Sequence, residues 1–387
     1  MIRVLLIAGT RPEVIKLAPV LKKLEEQSNL LTCSICITGQ HCELLHQQLN
    51  VFSIKPDYDL DIMKPNQDLF DITSGVLSGL KKIYDKERPD WTLVQGDTTT
   101  AAAASLAAYY YRSKIGHIEA GLRSNDKYAP FPEEANRRII DALSDLLFAP
   151  TERSKENLLR EGACESDIVV TGNTAIDALL WAVERARSCP KKPHELPNID
   201  WNKRMVLVTG HRRENFGDNL KVICKALLRL ARTCPDLNIV YPVHPNPNVQ
   251  RPINDMLGSA ANIHLIPPQN YEDFVWLMTK AHIILTDSGG VQEEGPALNK
   301  PVLVMRKSTE RPEGIEAGTT RLTGLATDSI VGHARLLLED SVEYAKMAWA
   351  PNPYGDGSAS SRVVEAILER NGKSCNIGVS RSDARNG

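Results

Sequence analysis

Short apolar runs and longer stretches of helical spacing alternate along this chain. Val4 to Ala8, Thr32 to Thr38, Trp91 to Gln95, Ile115 to Ile118 and Asp167 to Val170 read as strands, since compact runs rich in Val, Ile and Leu suit strands buried on both faces. Between them, apolar positions recur at helical spacing from about Glu13, over Leu69 to Tyr84, over the alanine-rich Thr99 to Arg112 and near Ala175 to Arg187. This is the βαβ rhythm of a parallel sheet covered by helices. Ser188 to Pro197, with Pro190 and Pro193 inside it, breaks the pattern and reads as a linker. The rhythm restarts at Met205 to Thr209 and continues through Leu237 to Pro242, Ile263 to Ile266, His282 to Leu285 and Pro301 to Met305. The fold class is therefore α/β, with two Rossmann-like doubly wound domains facing a cleft, residues 1–172 and residues 173–357. A length of 387 residues agrees, because single cores stop growing beyond ~250 to 300 residues. Residues 371–387, rich in Gly, Ser and charge, read as a flexible tail.

In doubly wound sheets ligands bind beyond the carboxyl ends of the strands, so the loops that follow strands are where chemistry is to be sought. The most informative is Thr286-Asp287-Ser288-Gly289-Gly290-Val291-Gln292-Glu293-Glu294. A buried strand ending in Ser-Gly-Gly and opening a helix presents backbone N–H groups and a positive dipole end to a phosphate. Glu294, about one turn on, offers paired acceptors to the two hydroxyls of a ribose. The bland alternative is a tight strand-to-helix turn without a ligand.

The first loop, Gly9-Thr10-Arg11-Pro12-Glu13, lacks the later glycines of a dinucleotide fingerprint. Arg11, and Lys16 further into the helix, are instead candidates to neutralise a departing diphosphate, or else solvated charges at a helix start. Asp97, Glu119 and Glu133 stand in loops or helix starts of the first half, where a reaction that removes a proton and returns it on another face needs positioned acids and bases. Asp97 before Thr98-Thr99-Thr100 also suits an N-cap, and Glu133 a first helical turn, with Arg137 at i+4 from it. His211, next to Arg212 and Arg213, is a candidate contact for phosphate or sugar.

Charge narrows the partners. Forty-six basic against forty-eight acidic residues give a net −2 without long runs of one sign, which speaks against nucleic acid and anionic membranes. No stretch has the length and apolarity of a membrane span, and Met1 to Ala8 is too short for a signal h-region, so the expected compartment is the cytoplasm. The eight cysteines are scattered and read as small buried hydrophobes. No clustered ligand spacing predicts a metal. Asp57-Tyr58-Asp59-Leu60-Asp61 imitates the Asp-x-Asp clasp of some sugar transferases but reads better as a solvated acidic stretch.

Together, Thr10-Arg11-Pro12-Glu13, Gly96-Asp97-Thr98-Thr99-Thr100, His117-Ile118-Glu119-Ala120-Gly121-Leu122-Arg123, Phe131-Pro132-Glu133-Glu134-Ala135-Asn136-Arg137, Thr171-Gly172-Asn173-Thr174, His211-Arg212-Arg213-Glu214, Asp287-Ser288-Gly289-Gly290 and Arg306 to Glu313 resemble the bacterial non-hydrolysing UDP-N-acetylglucosamine 2-epimerases. The resemblance runs from the first strand to about Arg370. It implies a two-domain fold like that of the GT-B nucleotide-sugar glycosyltransferases, a last helix over residues 358–370 returning to the first domain, and a homodimer. It further implies that Arg11, Lys16, Gln269, Phe274, Ser288, Gly289, Gly290, Glu294 and Arg311 surround the uridine diphosphate, and that Asp97, Glu119, Glu133, Arg137 and His211 surround the sugar. The implied reaction interconverts UDP-N-acetylglucosamine and UDP-N-acetylmannosamine by anti elimination of UDP to 2-acetamidoglucal and re-addition, without cofactor or metal, for surface polysaccharides such as enterobacterial common antigen. Which carboxylate serves which face is left open.

Two positions depart from the family pattern: Gln95 stands where relatives often have His, and Gly295 where Ala is usual, and neither supplies an essential group in the implied scheme. Gln40-His41, Arg212 and His244 fall where some relatives bind an activating substrate molecule, but Asn66 replaces an Arg they use. The competing readings are a glycosyltransferase of the same fold, a 2-epimerase of a modified UDP-HexNAc sugar, a hydrolysing epimerase that releases free N-acetylmannosamine, and a non-catalytic nucleotide-sugar sensor.

Overall fold

The structure, a computed structural model, describes residues 1–39, 42–64, 66–188, 196, 199–210, 212, 215 and 217–372, apart from the side chains of Cys42, Glu43, Leu44 and His46. Most of the expected linker and of the tail lies outside these residues. The chain divides into two compact units. The first comprises Met1–Leu45, Lys55–Thr171 and the chain from Ser358; the second comprises His46–Ile54 and Gly172–Gly357.

The first unit runs β1 (Ile2–Ala8), α1 (Arg11–Glu25), β2 (Leu31–Ile37), the start of α2 (Cys42–Val51), whose residues from His46 on belong to the second unit, β3 (Tyr58–Asp59), α3 (Leu69–Glu87), β4 (Trp91–Gln95), α4 (Thr99–Tyr110), β5 (Lys114–Ile118), α5 (Glu133–Leu143), β6 (Leu146–Ala149), α6 (Glu152–Arg160) and β7 (Ile168–Val170). All seven strands are parallel, in the order β3-β2-β1-β4-β5-β6-β7. The reversal of direction between β1 and β4 is the switch point at which doubly wound sheets bind ligands. β4 and β6 are buried along their whole length and β1 at every position but Arg3, which is why they read as continuous apolar runs.

The second unit repeats the plan. It runs α7 (Thr174–Ser188), β8 (Met205–Thr209), α8 (Asp218–Thr233), β9 (Asn238–Pro242), α9 (Pro247–Leu257), β10 (Ile263–Ile266), α10 (Tyr271–Lys280), β11 (Ile283–Thr286), α11 (Gly289–Ala297), β12 (Val302–Val304), α12 (Pro312–Glu316), β13 (Thr320–Leu322), α13 (Thr327–Glu339) and α14 (Ser341–Ala348). Its parallel sheet has the order β10-β9-β8-β11-β12-β13, with the switch between β8 and β11. α15 (Ala359–Arg370) returns to the first unit and packs on α1, with Arg370 Nη1 2.9 Å from Asp167 Oδ1. Phe52, just after α2, stacks on Trp181 at 4.7 Å in the second unit.

Two Rossmann-like units agree with the sequence reading. Three strands escaped it, β3, β6 and β13, because two to four residues are too few to show a period. The Asp57 to Asp61 stretch is spent on structure: Asp57 Oδ2 accepts the Ile35 N–H at 2.8 Å and Asp59 Oδ1 the Asp61 N–H at 3.0 Å. Of the cysteines, Cys36 is buried and burial pushes its thiol up to about 12, whereas Cys164 is exposed in the turn after α6, against the expectation.

Candidate functional site

Each unit gathers chemistry at its own switch point, and the two do so by different means. In the first unit Thr10 caps α1 and Arg11 is its exposed first residue. Glu13, at the third helical position, is 1% exposed. Its Oε2 accepts the Gly9 and Thr10 N–H groups at 3.0 and 2.7 Å, and its Oε1 the Thr98 hydroxyl at 2.7 Å. Burial pushes this carboxyl above its ordinary range although the hydrogen bonds pull the other way. Glu13 thereby ties the loop carrying Arg11 to the loop carrying Asp97. The Thr-x-x-Glu spacing of a capping box was the signal for it.

Glu119, the residue after β5, is 8% exposed and adopts φ +71°, a left-handed conformation that costs a non-glycine residue energy. Its Oε2 takes Lys16 Nζ at 2.5 Å and also the amide of Gln95. Lys16 is thus directed at a carboxylate of its own unit. Asp97 does not cap α4; Thr98 does, accepting the Ala101 N–H at 3.0 Å. That leaves the Asp97 carboxylate for Arg137, whose Nε and Nη2 reach Oδ2 at 3.0 and 2.7 Å. Asn136 fixes the same loop by donating to the Asp97 carbonyl at 2.8 Å.

Arg137 binds Asp97 and Glu134, at 3.0 Å, and not Glu133 as the i+4 spacing suggested. The helix turns Glu134 inward to a fully buried place where it serves both Arg137 and Arg138. Glu133 Oε2 is buried without a hydrogen-bond partner among the described residues.

Beneath this layer His117 Nε2 faces the Gly96 carbonyl at 2.7 Å and Nδ1 faces Asp141 Oδ1 at 2.5 Å. Burial pushes the Asp141 carboxyl up, but His117 and Arg123 outweigh it and hold it below its ordinary range. This network supports the Gly96-Asp97 loop from behind.

The second unit offers backbone where the first offers side chains. Ser288 stands at the N-cap position of α11 without a side-chain cap hydrogen bond, its N–H is held by Thr286 Oγ1 at 2.9 Å, and its carbonyl accepts Gln292 Nε2 at 3.0 Å. A methyl group built at Gly290 would meet nothing within 4 Å, so the helix end opens on free space. The Arg212 guanidinium lies 3.5 Å from where a Cβ of Gly289 would be. Asp287 is buried and accepts the Arg212 N–H at 3.0 Å and Asn215 Nδ2 at 2.9 Å.

Glu293 and Glu294 part company here. Glu293 is 3% exposed and is consumed by Arg311 and by Asn173 Nδ2, the latter at 2.9 Å. Glu294 is half-buried with the Tyr271 hydroxyl 3.5 Å away. Phe274 is half-buried on α10, and Gln269 turns its amide to the Pro267 carbonyl at 2.7 Å. The Arg306 to Arg311 loop is pinned over α11: Arg306 grips Glu310 at 2.8 and 3.2 Å, and Thr309 donates to Gln292 at 2.5 Å. Burial pushes Glu310 up, yet Arg306 outweighs it and holds the carboxyl at about 2. His211 lies outside the described residues.

The family model described as UDP-N-acetylglucosamine 2-epimerase matches residues 22–368. The chain belongs to that family. It is an epimerase, an isomerase of nucleotide sugars. It is 53% identical over 369 residues to the probable UDP-N-acetylglucosamine 2-epimerase of Ralstonia solanacearum, covering 94% of this chain and 98% of that one. The UDP-N-acetylglucosamine 2-epimerase of Escherichia coli K12 gives the same identity and coverage. The crystal structure of the Neisseria meningitidis enzyme bound to UDP-GlcNAc superposes with a TM-score of 0.85 at 49% identity, over 95% of this chain and 100% of that chain.

Both departures from the family pattern now have a physical setting. Gln95 of the epimerase donates to Glu119, so that departure touches a candidate catalytic group. Gly295 lets α11 lie against β12, since a Cβ there would come within 2.5 Å of Val302. Among the described residues no helix is long and apolar enough to cross a membrane.

Proposed function

We propose that this epimerase interconverts UDP-N-acetylglucosamine and UDP-N-acetylmannosamine by elimination and re-addition of UDP. The C2–H and C1–O bonds of the sugar break, a C1=C2 bond forms, and UDP departs with its developing charge. Re-addition reverses these steps with the proton delivered to the opposite face. What carries the reading is the carboxylate layer at the first switch point, where Asp97 and Glu119 are each held by a cation of the same unit. Proton transfer by such groups contributes typically ~10² to 10⁴-fold.

In this scheme Asp97, Glu119, Glu133, Arg137 and His211 surround the sugar. Arg11, Lys16, Gln269, Phe274, Ser288, Gly289, Gly290, Glu294 and Arg311 hold the nucleotide. The bare N-terminus of α11 suits a diphosphate because unpaired N–H groups and the dipole both favour an anion. The half-buried Glu294 suits the ribose hydroxyls. The Neisseria enzyme, crystallised with UDP-GlcNAc, supports the choice of substrate.

The domains are taken as 1–172 with the helix over 358–370, and 173–357. The protein is read as a cytoplasmic homodimer that supplies surface polysaccharide precursors. Tyr109 and Tyr110, 59 and 67% exposed at the end of α4, are the apolar surface such a dimer would cover. Sedimentation equilibrium tests it: a dimeric mass that Tyr109→Lys with Tyr110→Lys halves supports the interface, and a monomeric wild type refutes it.

The decisive experiment is proton NMR of UDP-N-acetylglucosamine with the protein in D₂O. Deuterium at C2 together with UDP-N-acetylmannosamine establishes the scheme. Free N-acetylmannosamine would mean a hydrolysing enzyme, and an unchanged spectrum would refute the substrate.

A further inference from the structure

Gln95 ends β4 and is 4% exposed. Its neighbours Leu93 and Val94 are fully buried and apolar, and a polar amide in such a place is costly unless it is hydrogen-bonded. The bond it makes is to Oε2 of Glu119, the oxygen that also receives Lys16 Nζ at 2.5 Å. Strand register brings this about, since Gln95 pairs with Ile118, the residue before Glu119.

Glu119 itself stands at φ +71°. A residue in that region persists when its surroundings over-determine it, and two donors from different elements on one oxygen do that. Lys16, on a flexible stem, supplies charge; Gln95, on a rigid strand, supplies direction. An amide also donates at every pH, so the hold does not titrate away.

We propose that Gln95 is a positioning residue for the epimerisation, fixing the Glu119 carboxylate in the orientation in which it exchanges the sugar proton. The inference rests on the acid/base reading of Glu119. Its test therefore includes Glu119→Gln alongside Gln95→Met, Gln95→His, Gln95→Glu and the double variant Gln95→Met/Glu119→Gln. For each, kcat, KM and C2 deuterium incorporation are measured with UDP-N-acetylglucosamine.

Gln95→Met keeps the shape and loses the donor. It should lower kcat ~10- to 100-fold, the scale of a misplaced reacting group, with KM within about twofold. Gln95→His, whose ring N–H still donates, should recover most of the rate, and Gln95→Glu, a like charge beside Glu119, should lose the most. Because the amide acts through Glu119, the double variant should be no slower than Glu119→Gln alone.

A wild-type kcat in Gln95→Met beside a slow Glu119→Gln overturns this inference and leaves the acid/base reading standing. So does a double variant slowed by the full product of the single effects. A wild-type kcat in Glu119→Gln overturns both. Should Gln95→Met not fold, the contrast of His against Glu at position 95 decides the matter: equal rates refute the role of the donor.

Discussion

The two units are built on one topology and end in opposite kinds of chemistry. At the first switch point the strand ends carry ionisable side chains, and those side chains are presented: Asp97 by Arg137, Glu119 by Lys16 and Gln95. At the second the helix end presents backbone, and two of the nearby acids, Glu294 not among them, are used up internally. Asp287 is spent on Arg212 and Asn215, Glu293 on Arg311 and Asn173. Moving a proton requires groups that change charge, whereas seating a diphosphate requires fixed dipoles that do not. On the proposed reading parallel doubly wound sheets serve both, so the division lies in loop residues and not in the fold.

The comparison breaks most visibly if a side chain of the first unit proves dispensable. Glu119→Gln should lower kcat by ~10² to 10⁴, while UDP affinity measured by calorimetry changes little. A variant that loses UDP binding and keeps its rate per bound substrate would put binding, not proton transfer, at the first switch point.

In the second unit the largest effect should fall on stability. Arg311→Met leaves Glu293, 3% exposed, without its cation. Breaking a buried pair by removing one partner costs about 3 kcal/mol. A midpoint lower by roughly 6 to 12 °C follows for a unit of this size. Differential scanning calorimetry checks it; an unchanged midpoint would mean that Arg311 serves the ligand alone.

A smaller effect sharpens the contrast at the seat itself. Gly290→Ala adds a methyl group that meets no protein atom within 4 Å. In a helix that change stabilises by roughly 0.5 to 1 kcal/mol, but here it projects into the space proposed for the phosphate. UDP affinity should fall by about tenfold, or 1.4 kcal/mol, while the thermal midpoint holds or rises. Unimpaired binding would move the diphosphate away from α11.

These outcomes also measure what the sequence could say. Buried parallel strands read as continuous apolar runs, so both sheets were legible, as was the Ser-Gly-Gly helix start. Pairing was less so. Spacing joined Glu133 to Arg137, yet the structure gives Arg137 to Asp97, forty positions away, because β4 and α5 meet only after folding. Nothing local marks Gln95 as the partner of Glu119 or separates Glu293 from Glu294, since burial decides both. Glu13 is legible through its capping spacing, but the spacing does not tell that its carboxylate also reaches Thr98.

The mildest test sets one carboxylate of each unit against the other. Burial raises the Glu13 carboxyl above 4.5, so its contribution to stability is present at low pH and is lost as pH rises from 4.5 through the folded value. Glu310, held at about 2 by Arg306, has the opposite sign: its contribution is present above 4.5 and is lost as pH falls from there toward 2. Glu13→Gln should therefore flatten the decline of stability above pH 4.5, and Glu310→Gln the decline below it, in urea unfolding followed across pH. The Glu310 effect should be small and should shrink with salt, because its side chain is 47% exposed. A Glu310 effect that ignored salt, or matching signs for the two variants, would show that the pairing of Glu310 with Arg306 does not set its charge.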